Sequence, residues 1–170
     1  KAKAAELPKD IRWHFIGRLQ TNKAKYAVKL FDMIHSVDRI ELAEEIDRRA
    51  AVLDRVVPVL IEVNVAGEAS KSGVPLAEAL PLVHAVAALP HVTIRGLMTL
   101  PPWSDDPEAS RPHFASLRRL QDRIRSERIE SCPCEDLSMG MSQDYRVAIE
   151  EGSTIVRIGR LIFGERPARG

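Results

Sequence analysis

Hydrophobic positions along the chain follow two patterns, short apolar runs and longer amphipathic stretches. The runs, rich in β-branched residues, predict six strands at residues 12–16, 33–36, 57–64, 93–98, 136–140 and 154–158. Between the strands, apolar residues recur at three- and four-residue steps and predict helices at 21–30, 39–53, 76–89, 108–127 and 143–151. This alternation is typical of a parallel sheet with crossover helices.

Two helical segments carry further signals. In 108–127, Phe114, Leu117, Gln121 and Ile124 form one face, while the arginines fall largely elsewhere and are interleaved with acidic residues. That mixture favours a solvated face over a nucleic-acid-binding stripe. In 76–89, Pro81 predicts a kink or a restart of the helix.

The last two strands run into turns that are rich in small residues. Residues 138–142 (SMGMS) end one strand, and residues 155–160 (IVRIGR) hold the next strand and its turn. Backbone N–H groups from two neighbouring turns can converge on one anion, so this region predicts a phosphate site. Arg157 precedes its turn by two residues, where it can reach a larger group attached to that phosphate.

Uniform βα spacing that ends in a phosphate-type turn indicates an α/β fold, a TIM-type (β/α)8 barrel with six of its eight units present. In such barrels the phosphate site often follows strands seven and eight. The alternative is an open doubly wound sheet, which usually places a glycine-rich fingerprint after its first strand. No such fingerprint occurs near Gly17.

Composition narrows the class of protein. The 170 residues are 45% hydrophobic and carry a net charge of +1, which predicts one domain over residues 1–170 and gives no reason to expect nucleic acid as a partner. Without an apolar run of membrane-spanning length or a signal-peptide pattern, no membrane is expected and a cytoplasmic location is predicted. Cys132 and Cys134 are predicted to be reduced thiols in a surface loop.

The order of short motifs along the whole chain closely resembles the pyridoxal-phosphate homeostasis protein family, single-domain relatives of the alanine racemase barrel. The motifs are WHFIG (13–17), LQTNK (19–23), IHSV (34–37), EVNV (62–65), KSG (71–73), RGLM (95–98), SMGMS (138–142), VRIG (156–159) and IFG (162–164). The resemblance implies a barrel of PLP fold type III, a cytoplasmic location and pyridoxal 5′-phosphate (PLP) as cofactor.

One part of the family pattern is missing. In the family, the Schiff-base lysine ends the first barrel strand, whereas this sequence begins just before what corresponds to the third. Lys1, Lys3 and Lys9 have no strand of their own, so none of them is assigned that role. The domain is therefore expected to be N-terminally incomplete, and the complete barrel is expected to be a monomer.

The resemblance also implies roles for residues at the end of the chain. Arg157 is expected against the pyridine nitrogen of PLP, with a surface ion pair as its alternative. Gly159 and the N–H of Arg160 are expected to hold the phosphate. Ser142 is expected to add a hydroxyl donor, to cap a helix that begins at Gln143, or both. Met141 is a candidate wall for the ring, although packing alone also explains it.

Two further candidates lie on earlier strands. His14 is a candidate cofactor contact, and a hydrogen-bonded core histidine is a simpler interpretation than a catalytic base. Asn64 either faces the barrel mouth or forms a turn before Ala66 and Gly67. The histidines show no ligand spacing, and no metal is predicted.

The function predicted from the resemblance is PLP binding and carriage in PLP homeostasis, without turnover, with apo-PLP enzymes as possible recipients. Two alternatives are an amino-acid racemase-like PLP enzyme and a barrel enzyme that acts on a phosphorylated sugar. A racemase of this fold requires a second acid or base from elsewhere.

Overall fold

A computed structural model describes residue 8, residues 10–68 and residues 71–164. Lys1, Lys3 and Lys9 lie outside the described residues. Seven strands are found in this range, all paired in parallel: β1 (His14–Phe15), β2 (Met33–Val37), β3 (Val57–Asn64), β4 (Val74–Pro75), β5 (Val92–Met98), β6 (Asp136–Met141) and β7 (Ile155–Arg157). Six of them follow the order β1-β2-β3-β5-β6-β7, and β4 pairs with β3 beside that path.

The helices alternate with these strands. They are α1 (Ala24–Leu30), α2 (Ile40–Ala51), α3 (Ala79–Ala87), α4 (Arg111–Ser126), α5 (Tyr145–Glu150) and α6 (Arg160–Phe163). Short 3₁₀ turns at Thr21–Lys23, Leu76–Glu78 and Pro107–Ser110 lead into α1, α3 and α4. All six predicted strands and all five predicted helices are confirmed, while the two-residue β4 was missed.

Two elements differ in length from the prediction for a local reason. The strand predicted at 12–16 is reduced to β1, because the N–H of Trp13 donates to the Asp32 carboxylate at 2.7 Å instead of to a strand. The helix predicted at 143–151 begins only at Tyr145, because the Asp144 carboxylate accepts the Met141 N–H at 2.7 Å and closes a turn there. Pro81 lies in the first turn of α3, where its missing N–H is tolerated, after the 3₁₀ turn has ended.

The outward face of the sheet forms the apolar core. On β3, Val59, Ile61 and Val63 are buried in one cluster with helix residues such as Phe114 and Leu117. Alternate side chains of a strand point to opposite faces, so the residues between them face the other way. This layer binds the helices to the sheet, and α4 contributes the face that its sequence predicted.

The sheet is strongly curved, and side-chain contacts demonstrate the curvature. Strands β2 and β6 are three positions apart in the sheet, which would separate them by about 14 Å if the sheet were flat. Instead, His35 Nδ1 on β2 lies 3.0 Å from Ser138 Oγ on β6. The six parallel strands therefore form part of a barrel wall, and the predicted barrel class is confirmed over an open sheet.

The two cysteines correct one prediction. Both are free, as expected, but both are buried rather than exposed in a surface loop. Their segment is held against α4, because Gln121 Nε2 donates to the Cys134 carbonyl at 2.8 Å. The buried side-chain amide of Gln121 thus holds this loop against the core. The sequence pattern had already placed Gln121 on the apolar face of that helix.

Among the described residues, no helix combines the length and the hydrophobicity needed to cross a bilayer.

Candidate functional site

A cavity of about 470 Å³ opens where β6 and β7 end. Its volume lies within the range of roughly 300–1,000 Å³ that is common for small-ligand pockets. The walls come from the loop after β5, the turn after β6 and the segment that follows β7. They include Trp103, Met141, Ser142, Asp144, Arg157, Gly159, Arg160 and Phe163. Five of the seven predicted site residues therefore line one cavity: Met141, Ser142, Arg157, Gly159 and Arg160.

Arg157 is fixed by two hydrogen bonds from its guanidinium group. Nη1 donates to Ser138 Oγ at 2.7 Å, and Nη2 donates to the Thr99 carbonyl at 2.8 Å. An arginine offers five N–H donors, so donors remain for a ligand in the cavity. The predicted alternative of a surface ion pair is not what the structure has, because the residue is partly buried and no carboxylate is bound to it among the described residues.

The charge of Arg157 is balanced without direct contact. Burial lowers the pKa of Arg157 to about 10, while the nearby carboxylates of Asp144 and Glu62 act in the opposite direction. The group stays protonated at neutral pH. Asp144 also lines the cavity, and its oxygens are already engaged by the Met141 N–H at 2.7 Å and the Ser110 hydroxyl at 2.8 Å. The site therefore presents a partly buried cation to a ligand.

Ser142 joins the two turns. Its Oγ accepts the N–H of Gly159 at 3.2 Å and that of Leu161 at 3.4 Å, so the hydroxyl lies at the start of α6. The predicted role as N-cap of a helix at Gln143 is wrong, because that helix starts at Tyr145 and its first N–H groups do not donate to Ser142. Both N–H groups come from the turn after β7, whereas the sequence predicted N–H groups from two neighbouring turns, and Leu161 rather than Arg160 is the second donor to this hydroxyl.

Gly159 borders open space. A Cβ built on it meets nothing within 4 Å, and its φ of −116° is open to any residue. Nothing in the fold requires a glycine at this position. A side chain here would instead enter the cavity, so the absence of one keeps the backbone of the turn accessible to a ligand.

Gly140 has the opposite property, because the fold itself requires it. Its φ is +91°, and a Cβ would lie 2.5 Å from the Cβ of Ala148 on α5. This close approach brings α5 against β6 and fixes the turn that carries Met141 and Ser142.

His14 and Asn64 lie outside the cavity walls. Asn64 forms the turn after β3, since its Nδ2 donates to the Glu68 carbonyl at 2.8 Å and its Oδ1 accepts the Gly67 N–H at 3.0 Å. His14 lies on the inner face of the sheet, where its Nδ1 is 2.9 Å from Nε2 of His35. The simpler interpretation of each residue, a turn former and a hydrogen-bonded histidine, describes what the structure has.

The sequence analysis missed several polar residues of the inner face. His35, Ser138 and Glu62 occupy alternate positions in runs that are otherwise apolar, and they are almost fully buried. A polar residue in the middle of a buried strand is the signal that could have found them, because its burial requires a partner.

Glu62 is the least satisfied of these groups. It is 3% exposed, and its Oε2 has no hydrogen-bond partner among the described residues. Burial and the nearby Asp38 carboxylate raise the pKa of Glu62 to about 7, against the opposing charges of Arg157 and Arg18. Near neutral pH this carboxyl is present in both protonation states.

A second concave region of about 310 Å³ lies between α1 and the end of α2. Lys25, Lys29 and Arg49 contribute cations to it, but Arg49 Nε is bound to the Glu45 carboxylate at 2.7 Å. These cations lie on helix surfaces, and none of them is held by a residue of the sheet. The region therefore serves as a comparison site for ligand binding.

Known proteins resemble this chain over most of its length. The family model for the alanine racemase N-terminal domain matches residues 3–167. The pyridoxal phosphate homeostasis protein of Aquifex aeolicus is 53% identical over 157 residues, which are 92% of this chain and 68% of that protein. The structure of PipY from Synechococcus elongatus, solved with PLP bound, matches with a TM-score of 0.86 at 36% identity, covering 96% of this chain and 74% of PipY.

More distant similarity extends to the fold. Alanine racemase of Clostridium difficile matches with a TM-score of 0.79 at 14% identity, over 98% of this chain and 43% of the racemase. Likeness at that identity shows the barrel architecture alone. The chain spans about two thirds of the length of the curated relatives it matches.

Proposed function

The chain belongs to the pyridoxal phosphate homeostasis protein family, and on that premise we propose that it binds PLP in the cavity at the ends of β6 and β7. The observation that carries the proposal is the partly buried guanidinium of Arg157. It is held by Ser138 and the Thr99 carbonyl and lines a cavity of suitable size. A partly buried cation with unused donors favours an anionic or acceptor-bearing ligand.

The phosphate is proposed to bind at the turn of residues 158–161. Gly159 leaves open space beside its backbone, and the N–H groups of Gly159 and Leu161 already point at one oxygen, that of Ser142. A phosphate oxygen can accept the same kind of bond. The Ser142 hydroxyl then serves as a donor to the ligand, in the role proposed for it from the sequence.

The apolar part of the cofactor is proposed to pack against Met141, Trp103 and Phe163. Trp103 is 64% exposed and Phe163 is 84% exposed, so both have apolar surface that a ring can cover. Covering this surface contributes to binding through the hydrophobic effect.

The protonation of Arg157 bears on what the bound cofactor can do. PLP supplies an electron-withdrawing ring when it is bound. With a pKa near 10, Arg157 donates hydrogen bonds at neutral pH and cannot accept one. If the ring nitrogen of PLP is placed beside Arg157, it would stay unprotonated and withdraw electrons weakly, which would favour holding the cofactor over carbanion chemistry. We therefore propose carriage of PLP and delivery to apo-enzymes, in preference to racemisation.

Titration of the chain with PLP tests the proposal. We expect Arg157→Gln to weaken binding by roughly tenfold to a hundredfold, the effect of losing charged hydrogen bonds. Arg119→Gln, on the exposed face of α4, is the matched control and should bind as the wild type does. Equal affinities for the two variants would refute the site.

Competition separates PLP from the rival ligand class. A sugar phosphate added in large excess should displace PLP poorly, because it cannot use the apolar walls. Displacement at similar concentrations would instead support a barrel enzyme that acts on a phosphorylated sugar.

A further inference from the structure

A continuous line of hydrogen bonds crosses the inner face of the sheet from β7 to β1. Arg157 Nη1 donates to Ser138 Oγ at 2.7 Å, Ser138 Oγ lies 3.0 Å from His35 Nδ1, and His35 Nε2 lies 2.9 Å from His14 Nδ1. His35 is 1% exposed and Ser138 is fully buried, so water does not complete their hydrogen bonding. His35 and Ser138 therefore depend on their neighbours for partners.

The charge state of His35 restricts the arrangement. Burial, followed by the nearness of His14 and Arg157, lowers the pKa of His35 to about 3. The ring is neutral at physiological pH, with one nitrogen that donates and one that accepts. Hence one neighbour of His35 accepts a hydrogen bond from its ring, and the other neighbour donates one to it.

The direction of the bonds follows from the two ends of the line. Arg157 can only donate, so Ser138 Oγ accepts from it and has one proton of its own to place. Its other bonded partner among the described residues is His35 Nδ1. The reverse direction would leave the buried hydroxyl proton of Ser138 without an acceptor, which is unfavourable. Ser138 therefore donates to His35 Nδ1, and His35 Nε2–H donates to His14 Nδ1.

We propose that Ser138 and His35 are positioning residues of the PLP site, an inference that rests on the proposed function. They act as a hydrogen-bonded relay that fixes the Arg157 guanidinium at one end and the tautomer of His14 at the other. In this relay His14 carries its proton on Nε2, so that it offers a donor rather than an acceptor at the β1 edge. Ser138 restrains Arg157 together with the Thr99 carbonyl, and its hydroxyl is held in turn by His35.

The first experiment tests the relay without any ligand. Long-range ¹H–¹⁵N spectra of the histidine-labelled chain should place the ring proton of His35 on Nε2 and that of His14 on Nε2. Ser138→Ala removes the donor to His35 Nδ1, so both rings should then sample mixed tautomers. His84, an exposed histidine paired with Glu127, is the internal control and should not change.

The second experiment connects the relay to the cofactor. His35→Asn keeps a side-chain acceptor near the former Nδ1 and so can still hold Ser138, but it is too short to reach His14. PLP affinity should fall less in His35→Asn than in Ser138→Ala, because Ser138 keeps an acceptor there, while His14 loses its fixed tautomer. In Ser138→Ala, PLP affinity should fall on the order of tenfold, the effect of one lost hydrogen bond to a charged group. Thermal unfolding of each variant establishes that it is folded.

Two results would overturn the proposal. One is a wild-type His14 with its proton on Nδ1, and the other is an equal loss of PLP affinity in His35→Asn and Ser138→Ala. If the wild type fails to bind PLP at all, the proposed function is wrong, and the ligand-free spectra still decide whether the relay exists.

Discussion

The two faces of the curved sheet are formed by the same strands but bury side chains of different chemistry. The outward face, represented on β3 by Val59, Ile61 and Val63, is apolar and covered by helices. The inward face carries His35, Glu62 and Ser138, which are as deeply buried as their apolar neighbours. Burial alone therefore does not separate the two faces, and the difference lies in the chemistry that is buried.

Each face contributes differently to stability and to function. The outward face stabilises the fold through removal of apolar surface from water. The inward face costs desolvation, which hydrogen bonds offset along the line from Arg157 to His14 but not at Glu62 Oε2. The proposed ligand site would account for polar groups that are buried at such a cost.

The largest expected effect comes from the outward face. Ile61→Ala removes a fully buried side chain between the sheet and its helices, and we expect the free energy of unfolding to fall by about 2–5 kcal/mol. Chemical denaturation measures the change. PLP affinity, measured where the variant is still folded, should be nearly unaffected. A loss below about 1 kcal/mol would mean that this face is less tightly packed than described.

The neighbouring residue on the inward face should give a change of opposite sign. Glu62 has its pKa raised from 4.5 to about 7 in the folded chain, so folding retains a proton that the unfolded chain has released. The contribution of Glu62 to the free energy of unfolding is fully favourable below about pH 4.5. As the pH rises to about 7 this contribution is lost, which lowers the free energy of unfolding by roughly 3 kcal/mol at most.

Glu62→Gln should therefore be more stable than the wild type at pH 8, and the difference should disappear at pH 4. Denaturation curves of both proteins across this range measure it. A constant difference at every pH would show that Glu62 has an ordinary pKa in the folded chain.

A smaller loss of stability is expected at Gly140, and it distinguishes this glycine from Gly159. Gly140→Ala places a Cβ 2.5 Å from Ala148 in a backbone of positive φ, and a loss of about 1–3 kcal/mol is expected. Thermal unfolding should show a lowered transition temperature. Unchanged stability would indicate that α5 can move away from β6 freely.

Gly159→Val should have the smallest effect on stability and a large one on binding. The added side chain meets open space, so the free energy of unfolding should change by no more than about 0.5 kcal/mol. Because the same side chain occupies the cavity, the preference for PLP over pyridoxal should be reduced. A variant that keeps the full preference would place the phosphate elsewhere.

The sequence predicted the outward face better than the inward one. Hydrophobic periodicity located every main strand, and the Phe114 face of α4 was identified, because burial of apolar residues is a local, repetitive signal. The two turns that carry Ser142 and Gly159 were predicted from their small residues. His35 and Ser138 were missed because the partners are distant in sequence: His14 and Ser138 lie 21 and 103 residues from His35. The curvature of the sheet is what brings Ser138 to His35.

The most direct test of the account is to follow backbone amide resonances during titration with PLP and, separately, with pyridoxal. The account predicts that the amides of Gly159 and Leu161 shift most with PLP and much less with pyridoxal, because the phosphate replaces Ser142 Oγ as the acceptor of their hydrogen bonds. If those two amides stay unchanged while amides around Lys25, Lys29 and Arg49 shift, PLP binds at the surface between α1 and α2, and the central claim is wrong.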